Sequence, residues 1–151
     1  MKPIQTTPYL SFDRNCAEAM ETYARILGGS LSIMTYEEMP TDPQMPEIPE
    51  DTRQLVAHAE LRVDGRPLLM GSDVVAGFCA EDAGYQKPQG MRVLIHTDDV
   101  QEGGRIFNAL AEGGQVEMPF APVCWAEGFG TLTDRFGTPW HIDAGSDCQV
   151  I

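Results

Sequence analysis

The chain is short of basic residues, and this shortage excludes partners that carry many negative charges. Its 151 residues include 10 Lys and Arg against 23 Asp and Glu, which gives a formal net charge of −13 at pH 7. A protein with this balance repels phosphate backbones and anionic lipid headgroups. We therefore expect neither nucleic acid nor a membrane among its partners.

The chain also has no long apolar run, no apolar leader and no paired cysteine motif. No run approaches the ~20 apolar residues of a membrane-spanning helix, and the start, Met-Lys-Pro-Ile-Gln-Thr-Thr-Pro, does not resemble a secretory signal. Cys16, Cys79, Cys124 and Cys148 are scattered without a C-x-x-C pair, which argues against a zinc knuckle or a redox dithiol. These features predict a cytoplasmic protein with reduced thiols.

An internal repeat divides this domain-sized chain into two modules. The segment Pro8–Asp13, followed by a helical stretch that ends at Gly28-Gly29, returns 85 residues later as Val93–Asp98 and a stretch that ends at Gly113-Gly114. We therefore expect the second half to repeat the fold of the first.

The repeat also locates an insertion in the first module. Gly65–Leu69 matches Gly137–His141 at a shift of 72, so the first module carries 13 additional residues after Gly29. Residues 37–52 account for these additional residues, because their prolines recur at every third position and the segment contains acidic residues but no basic ones. Such a segment favours an extended, solvated course. It is either a lid over a pocket or an idle surface loop.

Each module is predicted to fold as a strand, a helix and three further strands. We assign residues 5–75 to the first module, 76–89 to a linker and 90–144 to the second module, all within one domain. Asp13 or Asn15 can cap the first helix, and Asp64-Gly65 predicts a hairpin. The predicted strands are 8–12, 31–36, 55–63 and 67–71, then 91–97, 115–118, 128–133 and 139–143, with the second helix at 100–112. Because neither module alone has enough strands to be stable, the two should share one sheet.

Four local motifs resemble the PhnB-like branch of the vicinal oxygen chelate superfamily, which includes glyoxalase I, bleomycin and fosfomycin resistance proteins and extradiol dioxygenases. They are Pro8–Phe12, Asn15–Met20, His58–Val63 and Asp134–Trp140. The resemblance implies an α+β fold in which two tandem βαβββ modules form one curved eight-stranded mixed sheet. This sheet would be an open half-barrel with the helices on its convex face. The resemblance also implies a homodimer.

The alternation of side chains along each strand predicts which residues line the concave face of that sheet. Pro8, Leu10 and Phe12 should face the first helix, which turns Tyr9 and Ser11 inward. The other predicted helix-facing residues are Ala57, Ala59, Leu61, Val63, Met91, Val93, Ile95, Trp140 and Ile142. The other predicted inward residues are Thr7, His58, Glu60, Arg62, Arg92, Leu94, His96, His141 and Asp143.

The resemblance raises the question of a metal site, because metalloenzymes of this superfamily take ligands from the inward faces of these strands. His141 matches one such position. The opening strands offer Thr7 and Arg92, however, and a guanidinium has no lone pair to give to a metal. We therefore expect no metal cofactor. The alternative is a divalent ion (Zn, Ni, Fe or Mn) bound by His141 together with His58 and Glu60 in a different register.

The inward residues suggest what the pocket binds. Arg92 and Arg62 offer positive charge for an anion, while Tyr9, Trp125 and Phe129 can supply flat walls. We expect a small anionic or amphipathic ligand, and the candidate binding residues are Tyr9, His58, Glu60, Arg92, Trp125 and His141. No catalytic residue is identified. The alternatives are a metal-dependent lyase, isomerase, transferase or dioxygenase, and a protein whose pocket has collapsed and whose role is in assembly.

Some PhnB-like proteins are labelled demethylubiquinone methyltransferases, an activity that requires S-adenosylmethionine. The usual domain for this cofactor has a glycine-rich turn between a strand and the start of a helix. Here Gly28-Gly29 and Gly113-Gly114 are predicted to end helices instead. We therefore consider this activity incompatible with the sequence.

Overall fold

The computed structural model describes residues 2–78 and 84–145 and divides the chain into two compact units, residues 1–86 and 87–151. Each unit contains one βαβββ module, which confirms the predicted repeat. The first contains β1 (Tyr9–Phe12), α1 (Cys16–Leu27), β2 (Ser30–Thr35), a 3₁₀ turn (Glu50–Thr52), β3 (Val56–Val63) and β4 (Arg66–Asp73). The second contains β5 (Val93–Thr97), α2 (Val100–Ala111), β6 (Gln115–Val123), β7 (Ala126–Thr133) and β8 (Pro139–Ala144). Cys79 and Cys148 lie outside the described residues, as do positions 79–83 of the expected linker.

The two modules have the same sheet topology. Hydrogen bonds join the strands into two four-stranded sheets, with the orders β1-β4-β3-β2 and β5-β8-β7-β6. In each sheet the first strand runs parallel to the last, and the remaining pairs are antiparallel. None of the described helices is long and apolar enough to cross a membrane.

Each sheet buries one face beneath its own helix, as the alternation along the strands predicts. In β1, Leu10 and Phe12 are buried, whereas Tyr9 is 51% exposed and Ser11 is also exposed. Burial of one face of an amphipathic helix against apolar strand residues supplies most of the stability of such a layer. The helix residues buried in the first module are Cys16, Ala19, Met20, Thr22, Tyr23 and Ile26, and those in the second are Gly103, Ile106, Phe107 and Leu110.

A glycine in α2 lets this helix approach its sheet closely. A Cβ atom on Gly103 would lie 2.5 Å from the Cβ of Ala144 on β8. Glycine lowers intrinsic helix stability, but at this position any side chain would push α2 away from the sheet.

A buried carboxylate at the end of β4 connects the elements of the first module. Asp73 is 1% exposed, and its two oxygens accept the backbone N–H groups of Cys16 and Val56, both at 2.9 Å. Asp73 therefore caps α1 from a distant strand. Asn15 occupies the N-cap position, as one of the two predicted candidates, but its side chain makes no capping hydrogen bond. Burial, and secondarily the charge of Asp73, raise the pKa of the Cys16 thiol far above its ordinary value.

A β-bulge changes the register of the repeat. Leu61 pairs with Leu69, but the next residue, Arg62, pairs with Pro67, which leaves Leu68 as an additional residue in β4. In the second module Leu132 pairs with Trp140. Leu69 therefore corresponds to Trp140 at a shift of 71, and the predicted shift of 72 holds only before the bulge.

The first hairpin of the second module, formed by β6 and β7, is longer than predicted. β6 continues to Val123 through Pro119 and Pro122, and only Cys124 and Trp125 separate it from β7. Proline is tolerated here because β6 is an edge strand whose pairing is interrupted by several register shifts. Met91 was predicted to face the helix, but it precedes β5 and is 79% exposed.

The role of Asp73 can be tested by replacement with alanine. Asp73→Ala leaves the N–H groups of Cys16 and Val56 without their acceptor, so we expect a loss of about 3 kcal/mol in the free energy of unfolding. Urea denaturation followed by circular dichroism measures the change. Asp13→Ala, at an exposed position, is the matched control. Equal stability of the two variants would contradict the role given to Asp73.

Candidate functional site

The open face of the first sheet, opposite α1, brings two predicted site residues together. The hydroxyl oxygen of Tyr9 lies 3.2 Å from Nδ1 of His58, and the two rings are stacked with their centroids 5.8 Å apart. The side-chain alternation of β1 and β3 produces this contact, because it turns both residues away from the helix. The pair forms a polar, partly exposed surface on the sheet.

Glu60 and Arg62, which were also predicted on this face, form an ion pair with each other. Nη2 of Arg62 lies 2.7 Å from Oε1 of Glu60, and Nη1 of Arg62 donates to the carbonyl oxygen of Gly65 at 3.1 Å. Arg62 was expected to offer its charge to an anionic ligand. Its guanidinium is instead held by a neighbouring carboxylate and a turn carbonyl, which lowers its value as an anion site.

Beside Tyr9 the first module contains a cavity of about 340 Å³, which we call the inner cavity. One part of its wall is polar and includes Tyr9, Ser11 and Ser72, of which the two serines are directly paired neighbours on β1 and β4. Met39, Met45, Val75 and Phe78 supply an apolar part of the same lining. A wall with this division suits a ligand that has a polar end and an apolar body.

An outer cavity of about 300 Å³ adjoins the inner one, with which it shares Tyr36, Met39, Met45 and Phe78. The rest of its wall comes mainly from residues 37–48 of the insertion, together with Arg53. Tyr36 is fixed in this shared wall, because its hydroxyl donates to the backbone carbonyl of Asp73 at 2.8 Å. Phe78 packs edge-on against Tyr36 with 5.2 Å between ring centroids.

Most of these wall residues could not be identified by strand alternation. The register shifts between Met34 and Thr35, so β3 has an irregularity next to Val56. Val56 enters the core, and Ala57 lines the inner cavity instead of facing the helix, which corrects the prediction for Ala57. For the remaining wall residues, the only indication in the sequence was the insertion, which contributes Met39 and Met45 to the wall.

In the second module, Arg92 is engaged in an ion pair. Its Nη2 lies 2.5 Å from Oε2 of Glu117, and Thr133 donates a hydrogen bond of 2.8 Å to the other oxygen of this carboxylate. The hydrogen bond from Thr133 and the contact with Arg92 lower the pKa of Glu117 below its ordinary value of 4.5. The positive charge that was expected to bind a ligand thus already has a carboxylate partner.

The aromatic residues predicted at the site form a row in the second module. The ring centroids of Trp125 and Phe129 are 5.3 Å apart, and those of Phe129 and His141 are 5.4 Å apart, both in edge-to-face geometry. His141 is paired with Leu94 on one side and Thr131 on the other. These neighbours make His141 part of an aromatic and aliphatic surface.

The residues present do not fit the metal site that the fold family implies. Arg92 is bound to Glu117, and the immediate strand neighbours of His141 are Leu94 and Thr131, neither of which is a strong ligand for a divalent ion. Among residues 2–78 and 84–145, no three His, Cys, Asp or Glu side chains form a group that could hold a metal ion. The alternative set of His58, Glu60 and His141 takes residues from both units and stays a prediction.

The glycine pairs follow helices, as predicted. Gly28-Gly29 comes directly after α1, and Gly113-Gly114 lies between α2 and β6. Neither pair precedes a helix, where backbone N–H groups bind phosphate-containing cofactors. These turns therefore lack the usual geometry of an S-adenosylmethionine site.

Comparison with known proteins identifies relatives along almost the whole chain. A family model described as 3-demethylubiquinone-9 3-methyltransferase matches residues 4–143. Protein YjdN from Escherichia coli K12 is 35% identical over 143 residues, which cover 91% of this chain and 92% of that protein. The crystal structure of protein PA1353 from Pseudomonas aeruginosa is 36% identical, covers 96% of this chain and 100% of its own, and superposes with a TM-score of 0.81.

The fold is shared more widely. A PhnB protein from Bacillus cereus, described as a putative 3-demethylubiquinone-9 3-methyltransferase, is 21% identical and has a TM-score of 0.66, with coverage of 94% of this chain and 100% of its own. More distant matches are described as glyoxalase-related or as glyoxalase, bleomycin resistance and dioxygenase proteins. These matches confirm the expected superfamily fold.

The ion pair between Arg92 and Glu117 should make the free energy of unfolding depend on pH. Because the folded-state pKa of Glu117 is lowered, its stabilising effect should be present at neutral pH and be lost as the pH falls through that pKa, below 4.5. The pair is partly exposed, so Glu117→Gln should cost at most about 1 kcal/mol at pH 7. Urea unfolding at pH 7 and pH 3 measures both values. A cost that is larger at pH 3 than at pH 7 would contradict this assignment.

Proposed function

Since the chain belongs to the family described as 3-demethylubiquinone-9 3-methyltransferase, a PhnB-like family with the glyoxalase-type fold, we propose that it binds an uncharged amphipathic small molecule. The proposed site is the inner cavity of the first module, and binding there does not require a metal. The observation that carries this proposal is that hydroxyl groups and apolar side chains line the same cavity. The family description names a methyl-transfer activity, which the glycine turns do not support.

The size of the inner cavity supports a small ligand. Its volume of about 340 Å³ is near the lower end of the range for ligand pockets, which is roughly 300–1,000 Å³. Ser11, Ser72 and Tyr9 present hydroxyl groups that can both donate and accept hydrogen bonds. Met39, Met45 and Phe78 supply the apolar area that drives binding.

The arrangement of charge supports an uncharged ligand over an anionic one. The two arginines expected to bind an anion are held by Glu60 and Glu117. The lining of the inner cavity contains no Lys or Arg among the described residues. An anion would therefore lose its hydration without gaining a positive partner. Of the two ligand classes expected from the sequence, we retain the amphipathic one.

We also propose a cytoplasmic location and a homodimer. A reducing compartment is consistent with the free thiols of Cys16 and Cys124. Exposed Val116 and Met118 on the edge strand β6 offer apolar area for association with a second copy. A monomer observed by light scattering at micromolar concentration would refute the dimer.

Binding in the inner cavity can be tested with a neutral naphthalene ketone dye, 6-propionyl-2-(dimethylamino)naphthalene, whose fluorescence increases in apolar surroundings. Ser11→Phe places a ring in the cavity and should weaken binding at least tenfold. Ser32→Phe is the matched control, because Ser32 is also exposed on the open face of the sheet and does not line this cavity. If the dye binds both variants as it binds the unmodified protein, or does not bind the unmodified protein, the proposal is wrong.

The independence from metal has its own test. Treatment of the protein with a chelator should leave the dissociation constant of the dye unchanged within about twofold, because no wall residue needs an ion to hold the ligand. Elemental analysis of the untreated protein accompanies this measurement. A stoichiometric divalent ion whose removal abolishes binding, and whose content falls in His141→Ala, would favour the metal-dependent alternative.

A further inference from the structure

The inner and outer cavities have four lining residues in common. Tyr36, Met39, Met45 and Phe78 line each of them, so a ligand that moves one of these groups aside gains access to the other cavity. The two cavities have similar volumes, about 340 and 300 Å³. The shared wall is therefore the feature that decides how long a ligand the site accepts.

Two of the four shared side chains are fixed and two can adapt. Tyr36 and Phe78 are buried and packed against each other, and Tyr36 is also tied to Asp73 by its hydroxyl. Met39 and Met45 come from the insertion, and Met45 is 40% exposed. An unbranched thioether side chain changes rotamer at low cost and fills irregular space well. Met39 and Met45 are thus the part of the wall that can open.

The chemistry of the outer cavity indicates what it takes. Pro40, Pro46 and Ile48 add apolar lining to the two methionines. The charged lining residues are three acidic ones and one basic one, namely Glu37, Asp42, Glu47 and Arg53. The apolar part suits an aliphatic chain, and the excess of acidic residues over the single Arg53 disfavours a negatively charged end. The insertion therefore makes a second subsite for uncharged, flexible apolar groups.

We propose that the site binds an elongated uncharged molecule, with its polar head in the inner cavity and its aliphatic tail passing between Met39 and Met45 into the outer cavity. This proposal rests on the proposed function and adds the class of ligand and the role of the insertion. It assigns residues 37–48 as the element that determines specificity for chain length. If the insertion is an idle surface loop, it has no effect on the length of ligand that the site accepts.

The proposal is tested with two homologous dyes, the propionyl and the hexanoyl ketones of 2-(dimethylamino)naphthalene. The hexanoyl dye carries three additional methylene groups, and full burial of each is worth about fourfold in affinity. Partial burial in the outer cavity should make the hexanoyl dye bind the unmodified protein roughly tenfold more tightly than the propionyl dye. Equal binding of the two dyes would overturn the proposal.

A matched pair of variants locates the tail. Thr41 is exposed and lines only the outer cavity, so Thr41→Trp fills that space and should reduce the tenfold preference to twofold or less. The affinity of the propionyl dye should not change. Gln44→Trp adds the same bulk to the same loop at an exposed position outside both cavities, and it should retain the full preference.

The outcomes separate the two proposals. If Thr41→Trp keeps the tenfold preference, or if Gln44→Trp loses it, the outer cavity does not hold the tail, while the inner site stands on its propionyl result. If neither dye binds the unmodified protein, the proposed function itself fails. Circular dichroism and urea unfolding of both tryptophan variants ensure that a changed preference reflects the site, since a folded variant is required for either conclusion.

Discussion

The buried carboxylate of Asp73 is the constraint on which the first module depends. A charge that is 1% exposed is stable only when its oxygens are hydrogen-bonded, and here they accept N–H groups from the start of α1 and of β3. The backbone of the same residue pairs with Phe12 and accepts the hydroxyl of Tyr36. One residue thus fixes β1, α1, β3 and the wall between the two cavities. In the second module the corresponding position is Ala144, and Asp99 caps α2 locally instead.

A second carboxylate explains one of the four motifs on which the family resemblance rests. Asp134 accepts the N–H groups of Phe136 and Thr138 with one oxygen and the indole N–H of Trp140 with the other. Arg135 lies over the ring of Phe136, with 4.3 Å between its guanidinium carbon and the ring centroid. The segment Asp134–Trp140 is therefore a structural turn that closes β7 onto β8. A motif of this kind identifies the fold and its family, but it carries no information about the ligand, because its side chains hold the turn together.

The parts of the fold that follow from periodicity were predictable, and those that follow from single irregularities were not. Alternation in β1 correctly placed Leu10 and Phe12 in the core and Tyr9 on the open face. The bulge at Leu68 and the irregularity beside Ala57 each shift a strand by one residue, and no sequence pattern marks such a shift.

The site was predicted only in part for a related physical reason. The inward direction of Tyr9 and His58 follows from local alternation, and their contact confirms that these two share a face. Whether an arginine is available to a ligand depends on partners distant in sequence, and Glu117 is 25 residues from Arg92. The cavities themselves are formed in part by the insertion, whose proline spacing predicted an extended segment but not the surface it would cover.

Since every described wall residue of both cavities lies between positions 9 and 78, the free energy of ligand binding would be linked to the opening of the first module. A ligand would then slow amide hydrogen exchange in α1 and β1–β4 far more than in the other half of the chain, so that two halves of common ancestry would differ in local cooperativity.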